Sequence, residues 1–181
     1  MREIKNLEHL TNLRYLNLSY NRISEIKGLE MLTELESLYL KGNRIVEIKG
    51  LEALTRLKYL NLGANKIKEI KGLDKFVNLE RLHLQKNDIK EIRELEKLVN
   101  LKRLDLEHNY IRKLEGISSL SKLEELNIYN NPITQQYSGW DIIDLIWKLG
   151  GMDASTGYFK DPQNIVEYCR QTEKEQSNHF K

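Results

Sequence analysis

"LRYLNLSYN", residues 13–21, returns 22 residues later as "LESLYLKGN" (35–43), then as "LKYLNLGAN" (57–65), "LERLHLQKN" (79–87), "LKRLDLEHN" (101–109) and "LEELNIYNN" (123–131). Self-similarity at a fixed short period marks a repeat architecture and has to be settled before any local reading. Each frame keeps aliphatic residues at three places, from Leu13, Leu16 and Leu18 to Leu123, Leu126 and Ile128, and closes on an asparagine: Asn21, Asn43, Asn65, Asn87, Asn109, Asn131. The intervening segments repeat as well, with columns headed by Ile23, Ile26, Leu29 and Leu10.

In Tyr15-Leu16-Asn17-Leu18 the two-residue period of a strand sends Leu16 and Leu18 to one face and Tyr15, Asn17 and Ser19 to the other. Each 22-residue turn therefore supplies one short parallel strand, and strands stacked about 4.8 Å apart turn every aliphatic column into a continuous inner ridge. The asparagine amide stands where the chain leaves the strand, placed to satisfy backbone groups that would otherwise be buried unpaired, so the asparagine ladder reads as structural. Gly28, Gly50, Gly72 and Gly116 mark a tight corner into the second half of the turn. Asn6 and Glu94 replace glycine there, and the corner at Glu94 is expected to differ or to carry strain. Segments such as "LEML" and "LEAL" read as single helical turns.

The pattern L-x-x-L-x-L-x-x-N-x-I resembles a leucine-rich repeat, and the 22-residue length with its compact "I-x-G-L-E-x-L" half resembles the short subfamily that includes a nuclear regulator of protein phosphatase 1 and the bacterial internalins. The resemblance covers residues 2 to about 133. It implies an α/β leucine-rich repeat solenoid, a right-handed curved arc with a parallel concave β-sheet, followed here by a C-terminal helical cap. The expected organisation is a half-repeat acting as N-terminal cap (1–12), a solenoid of six frames with the last one partial (13–133), a helical cap (134–171) and a flexible tail (172–181).

A solenoid leaves its terminal turns with one uncovered face, which at about 1.5 to 3 kcal/mol per aliphatic side chain is a cost that calls for caps. After Asn131-Pro132-Ile133 the period stops. Ser138 and Asp141 resemble a capping box opening a helix that Gly150-Gly151 would end. Trp140, Ile142, Ile143, Leu145, Ile146, Trp147 and Leu149 surround a narrow polar stripe, so this helix reads as buried on two sides. A second helix is expected from Asp161 with Pro162 in its first turn, its apolar face made by Ile165, Val166, Tyr168 and Cys169. The apolar period fades beyond Gln171. At the other end Ile4, Leu7 and Leu10 match Ile26, Leu29 and Leu32, so the chain enters halfway through a repeat. That half-turn either caps the sheet or leaves residues 15–17 as an open edge.

The 29 basic and 27 acidic residues are dispersed along the chain and sum to +2, which argues against nucleic acid or an anionic membrane as partner. No apolar run approaches the roughly 20 residues of a membrane span, and "MREIKNLEHL" lacks the apolar run of a signal peptide. A single cysteine, Cys169, excludes an internal disulfide and reads as a packing residue. A reducing, cytoplasmic setting is expected.

With the frame fixed, the variable positions are the displayed surface. The concave columns run Tyr15, Ser37, Tyr59, Arg81, Arg103, Glu125, then Asn17, Tyr39, Asn61, His83, Asp105, Asn127, then Ser19, Lys41, Gly63, Gln85, Glu107, Tyr129. Turns one to three show an aromatic and amide zone around Tyr15, Tyr20, Tyr39 and Tyr59, with Gly42, Gly63 and Ala64 leaving room beside it. Turns four and five show a mixed-charge zone of Arg81, His83, Arg103, Asp105, Glu107 and His108, with Tyr129 beyond. Tyrosine and arginine carry much of the binding energy in protein interfaces, which makes this strip a candidate recognition face. The plainer reading is a solvated strand face that tolerates tyrosine for its strand propensity.

His83, His108, Asp105 and Glu107 are placed by the repeat with no paired nucleophile, so neither catalysis nor a metal site is expected, and no cofactor motif occurs. The expected function is a non-enzymatic scaffold or regulatory module, monomeric, that binds a protein or peptide. The alternative is a structural subunit that self-associates through the N-terminal sheet edge or the C-terminal cap helix.

Overall fold

The computed structural model describes residues 1–133, 150–153 and 156–179, with the side chains of 175–179 excepted. Six three-residue strands, β1 (Tyr15–Asn17), β2 (Ser37–Tyr39), β3 (Tyr59–Asn61), β4 (Arg81–His83), β5 (Arg103–Asp105) and β6 (Glu125–Asn127), form one parallel sheet in sequence order. Register follows the repeat: Leu16 faces Leu38, Leu38 faces Leu60, Leu60 faces Leu82, Leu82 faces Leu104, and Leu104 faces Leu126. The chain is the solenoid the period predicts.

Its core is the set of aliphatic columns. From Leu29 to Leu126 nearly every column residue is at most 2 % exposed, with Phe76 filling the place that leucine holds in its neighbours. Only the first turn is looser, where Leu7, Leu10, Leu13 and Leu16 are partly buried because they have a neighbour on one side alone. The second half of each turn is held by short i→i−3 bonds, such as Leu32 N to Leu29 O and Leu35 N to Leu32 O, both 3.0 Å. These are the single helical turns expected.

The asparagine ladder does what its chemistry suggests. Asn87 Oδ1 accepts from Ile67 N at 3.0 Å, while its Nδ2 donates to Leu62 O at 3.0 Å and Leu84 O at 2.9 Å. One side chain thus ties three backbone groups on two turns, and the rungs at Asn43, Asn65, Asn109 and Asn131 repeat the pattern. At Asn21 the acceptor takes the Met1 α-amine at 2.8 Å instead of a backbone N–H. Arg22 N donates to Met1 O as Arg44 N does to Ile23 O, so the first half-turn runs in register with the rest.

The corner glycines are required by contact as much as by dihedral. A Cβ on Gly50 would lie 2.1 Å from Ile26 O, and one on Gly116 2.0 Å from Ile92 O. Glu94 nonetheless adopts the same left-handed backbone at φ 56°. The corner there keeps its shape and carries the strain. A second left-handed column, invisible in composition, precedes the asparagines: Tyr20, Gly42, Ala64, Lys86, His108 and Asn130 all have φ between 53° and 69°.

Among the described residues, two devices cover the C-terminal end. Helix α1 (Pro162–His179) begins where expected, with Asp161 Oδ1 accepting from Gln163 N at 3.2 Å as its cap. Ile165, Val166 and Cys169 are buried, and polar side chains meet carbonyls of the last turn: Gln163 Nε2 donates to Leu123 O at 2.6 Å, Arg170 Nη2 to Ser118 O at 3.0 Å, and the Cys169 thiol to Leu114 O at 3.2 Å. The helix continues past Gln171 to His179, so most of the expected tail is helical. Glu173 prolongs the docking beyond the apolar face by accepting from Ser118 Oγ at 2.6 Å. The second device is a strap of non-repeating chain on the outer edge of β6, where Tyr158 bridges Asn127 antiparallel and Phe159 N donates to Leu126 O at 2.9 Å. The helix expected between Ser138 and Gly150 lies outside the described residues.

Candidate functional site

The non-core face of the sheet collects the variable positions, and turn by turn it changes character. Tyr15, Tyr39, Tyr59 and His83 alternate between the first and second concave columns, so their rings interleave across four strands. Centroid separations are 5.0, 4.6 and 5.3 Å, with interplanar angles of 44°, 28° and 35°. The Tyr39–Tyr59 pair is stacked and the two flanking pairs are tilted, an arrangement worth about 0.5 to 1.5 kcal/mol per aromatic pair beyond burial. Burial first, then the neighbouring phenols Tyr59 and Tyr15, push the Tyr39 hydroxyl above the usual phenol range, so it remains a protonated donor. Tyr20 stands at the margin, 75 % exposed, with Lys41 Nζ 6.0 Å from its ring centre.

Room beside the ladder is filled by neighbours. A Cβ on Gly42 would meet the Tyr20 ring at 2.7 Å, and one on Gly63 the Gln85 amide at 2.6 Å. Small residues here seat the adjoining side chains and leave no notch.

The asparagines of the second column are also turned to the frame. Asn17 Oδ1 accepts from Ser19 N at 3.0 Å, Asn61 Oδ1 from Gly63 N at 3.1 Å, and Asp105 Oδ1 from Glu107 N at 3.1 Å. Their oxygens are spent on the backbone two residues ahead; the Asn17 amide stays exposed, whereas buried Asn61 donates its Nδ2 to the Tyr59 hydroxyl at 3.3 Å.

The far end of the mixed-charge zone, around Arg103, is covered by the chain itself. Tyr158 lies with its ring 5.7 Å from the Arg103 guanidinium, Arg103 pairs with Glu125, and Asn127 is only 2 % exposed beneath the strap. Burial first, then the Asp105 carboxylate, pushes the Tyr158 hydroxyl up to about 12. Tyr158 is the residue that sequence reading missed. It belongs to no repeat, and its only local signal is the short strand-like "YF" after Gly157.

Of the candidate residues, Tyr15, Tyr20 and Tyr129 are exposed, Tyr39, Tyr59, Arg103 and Glu107 half-buried, Arg81 exposed, and His83 and Asp105 buried. The face brings all of them together except Tyr20, which sits on its rim. His83 Nδ1 lies 3.7 Å from Asp105 Oδ2, and His108 Nε2 lies 3.4 Å from Glu107 Oε1. These are two separate pairs; among the described residues no three such groups converge to hold a metal. His83 Nε2, Gln85 Oε1 and Arg103 Nε are buried with no hydrogen-bond partner among the described residues. No helix among those residues is long and apolar enough to cross a membrane.

Two solved structures share this architecture closely. An internalin (InlF) from Listeria monocytogenes superposes with a TM-score of 0.67 at 30 % identity, covering 74 % of this chain and 40 % of its own. Internalin C2 from the same organism gives 0.64 at 30 % identity, covering 67 % of this chain and 54 % of its own. The functional domain of InlJ from Listeria monocytogenes, at 21 % identity and a TM-score of 0.59, covers 79 % and 35 % and shares the fold. This chain thus spans about half or less of each internalin it resembles. No curated protein sequence matches it. The family profile for a leucine-rich repeat region matches residues 2–155, and with six in-register turns and their asparagine rungs in place, the chain belongs to the leucine-rich repeat family.

Proposed function

We propose that the chain is a non-catalytic interaction module that holds a protein or peptide against its concave sheet. Leucine-rich repeat proteins generally bind proteins and are typically not enzymes. The observation that carries the specific face is the interleaved ladder of Tyr15, Tyr39, Tyr59 and His83. Rings already immobilised by their neighbours lose little side-chain freedom when a partner covers them, and such rigid aromatic surface is what binding sites favour. The buried, unpartnered atoms of His83 and Gln85 border the same ladder. A cytoplasmic setting is part of the proposal, supported by the single, buried Cys169 thiol, which requires no oxidant.

The test is comparative affinity capture from a lysate of the source cells, using the native chain and a Tyr39→Asp, Tyr59→Asp variant shown to melt cooperatively. Proteins retained only by the native chain place binding on the ladder. Identical captures from both chains overturn this face. A dimer that survives both substitutions, seen by sedimentation, would instead favour self-association through an end of the solenoid.

A further inference from the structure

A chain with a net charge of only +2 gathers its cations when it coils. Arg22, Arg44 and Lys66 occupy the position after the asparagine in turns one, two and three, and therefore stack along one rim of the sheet, about 4.8 Å apart. Lys86, next to the asparagine of turn four, extends the row, and Asp88 ends it. On the face itself, Lys41 and Arg81 are the charged residues among the concave positions of turns one to four, and no acid accompanies them. None of these six cations has a salt bridge among the described residues. By contrast, cations on the opposite rim are paired: Lys58 with Glu36 at 2.8 Å and Lys102 with Glu80 at 3.0 Å.

Hydrogen-bonding capacity has the same bias. The Asn17 and Asn61 oxygens are used by the frame and Asn61 Nδ2 donates to the Tyr59 hydroxyl at 3.3 Å, so turns one to four offer the Asn17 amide N–H, the Tyr39 hydroxyl held protonated, and two cations. On the face of turns one to four the cations have no acid beside them. A partner that complements it presents acceptors and negative charge.

Resting on the concave-face reading above, we propose that turns one to four bind an extended, carboxylate-rich segment of a partner protein, its backbone along the ladder and its acidic side chains toward the Arg22–Arg44–Lys66 rim. Single-stranded nucleic acid also carries negative charge, but it binds by stacking bases on open aromatic faces. Here each interior ring already has ring neighbours at 4.6 to 5.3 Å, so a base would have to compete with them for stacking surface.

The experiment is selection of random displayed peptides of about ten residues, enough at about 3.3 Å per residue to cross the sheet. It is run on the native chain, with affinities then measured on the native, Arg44→Glu/Lys66→Glu and Tyr39→Ala chains. Enriched peptides should be acidic, lose affinity on the order of tenfold with either variant, and weaken as salt rises. Neutral or basic peptides that still depend on Tyr39 overturn the acidic partner while leaving the concave face standing. Peptides indifferent to Tyr39→Ala overturn both, as does the absence of any enrichment. A dT oligonucleotide that binds more tightly than the selected peptides overturns the protein-segment assignment. Because Arg44 and Lys66 are exposed, their reversal leaves folding intact, and a Lys-substituted peptide regaining affinity on the reversed chain confirms direct pairing.

Discussion

Asn17 and Asn127 stand at the same place in the first and last strands, yet Asn17 is exposed and Asn127 is 2 % exposed. Both use Oδ1 to hold a backbone N–H two residues on, at 3.0 and 2.9 Å. The difference lies outside the repeat: β6 has the strap on its outer edge, with Tyr158 folded back over Arg103, whereas among the described residues β1 pairs with β2 alone. A uniform scaffold therefore carries two unlike surfaces, one displayed and one occupied by its own chain. Identity of fold along a solenoid does not imply identity of availability.

The largest effect that would sharpen this contrast is at Phe159, 4 % exposed beside Leu126. Phe159→Ala should cost about 3 to 5 kcal/mol and release exchange protection at β6, while Tyr15→Ala at the other end, which loses one ring pair, should cost about 0.5 to 1.5 kcal/mol. Equal losses in urea titrations of the two variants would erase the distinction between the ends.

Asparagine offers the next contrast. Asn87→Ala strands three backbone groups, at about 1 to 3 kcal/mol for each one left unpaired, and should destabilise by about 3 kcal/mol or more. Asn17→Ala, which removes one bond at an exposed site, should fall within about 0.5 kcal/mol. A comparable melting shift for both would mean the ladder is ornamental.

The closed end should also be the alkaline-sensitive one. Burial first, then Glu173 and Glu115, pushes the Cys169 thiol up from 9.0 to about 12, and Tyr158 moves up from 10.0 to about 12. Both groups are neutral in the folded state where the unfolded chain would ionise. Their contribution is complete below about pH 9 and is lost as pH rises toward 12, with a slope for Cys169 of at most about 1.4 kcal/mol per pH unit. Melting at pH 8 and 10 measures it, and Cys169→Ala should flatten the slope. A smaller gain is expected mid-solenoid: Glu94→Gly relieves a left-handed glutamate and should stabilise by about 1 kcal/mol without altering the difference between the ends.

How much of this was legible in the sequence follows from what each feature depends on. The strands, the core columns and the asparagine rungs are determined within 22 residues, so their recurrence announces them. The start of α1 was readable from Asp161 and Pro162 because capping is local. The three tyrosines of the ladder were grouped in the sequence, but His83 was read into the neighbouring mixed-charge zone, and that all four rings interleave depends on the alternation between columns. The cover over Arg103 was not legible, because Tyr158 follows a segment with no period and reaches back 55 residues (158 − 103) to that guanidinium. Nor was the filling of the space at Gly42 and Gly63, since a missing side chain in one turn says nothing about which neighbour leans into it.

The alternation of the ladder has one more consequence. Interfaces between turns are equivalent at every step of 22, so the fold counts in single turns, and a turn could be copied or excised by an internal genetic duplication or deletion without disturbing a rung. The surface counts in pairs. Tyr15 and Tyr59 share a column while Tyr39 and His83 share the other, and the residues just before the strands run Arg14, Glu36, Lys58, Glu80, Lys102, Glu124, alternating in sign. Losing one turn would set arginine beside lysine and tyrosine directly opposite tyrosine. Losing two would restore both patterns. The molecule thus has a parity that its fold lacks, and changes in its length that preserve the displayed face come in even numbers of turns.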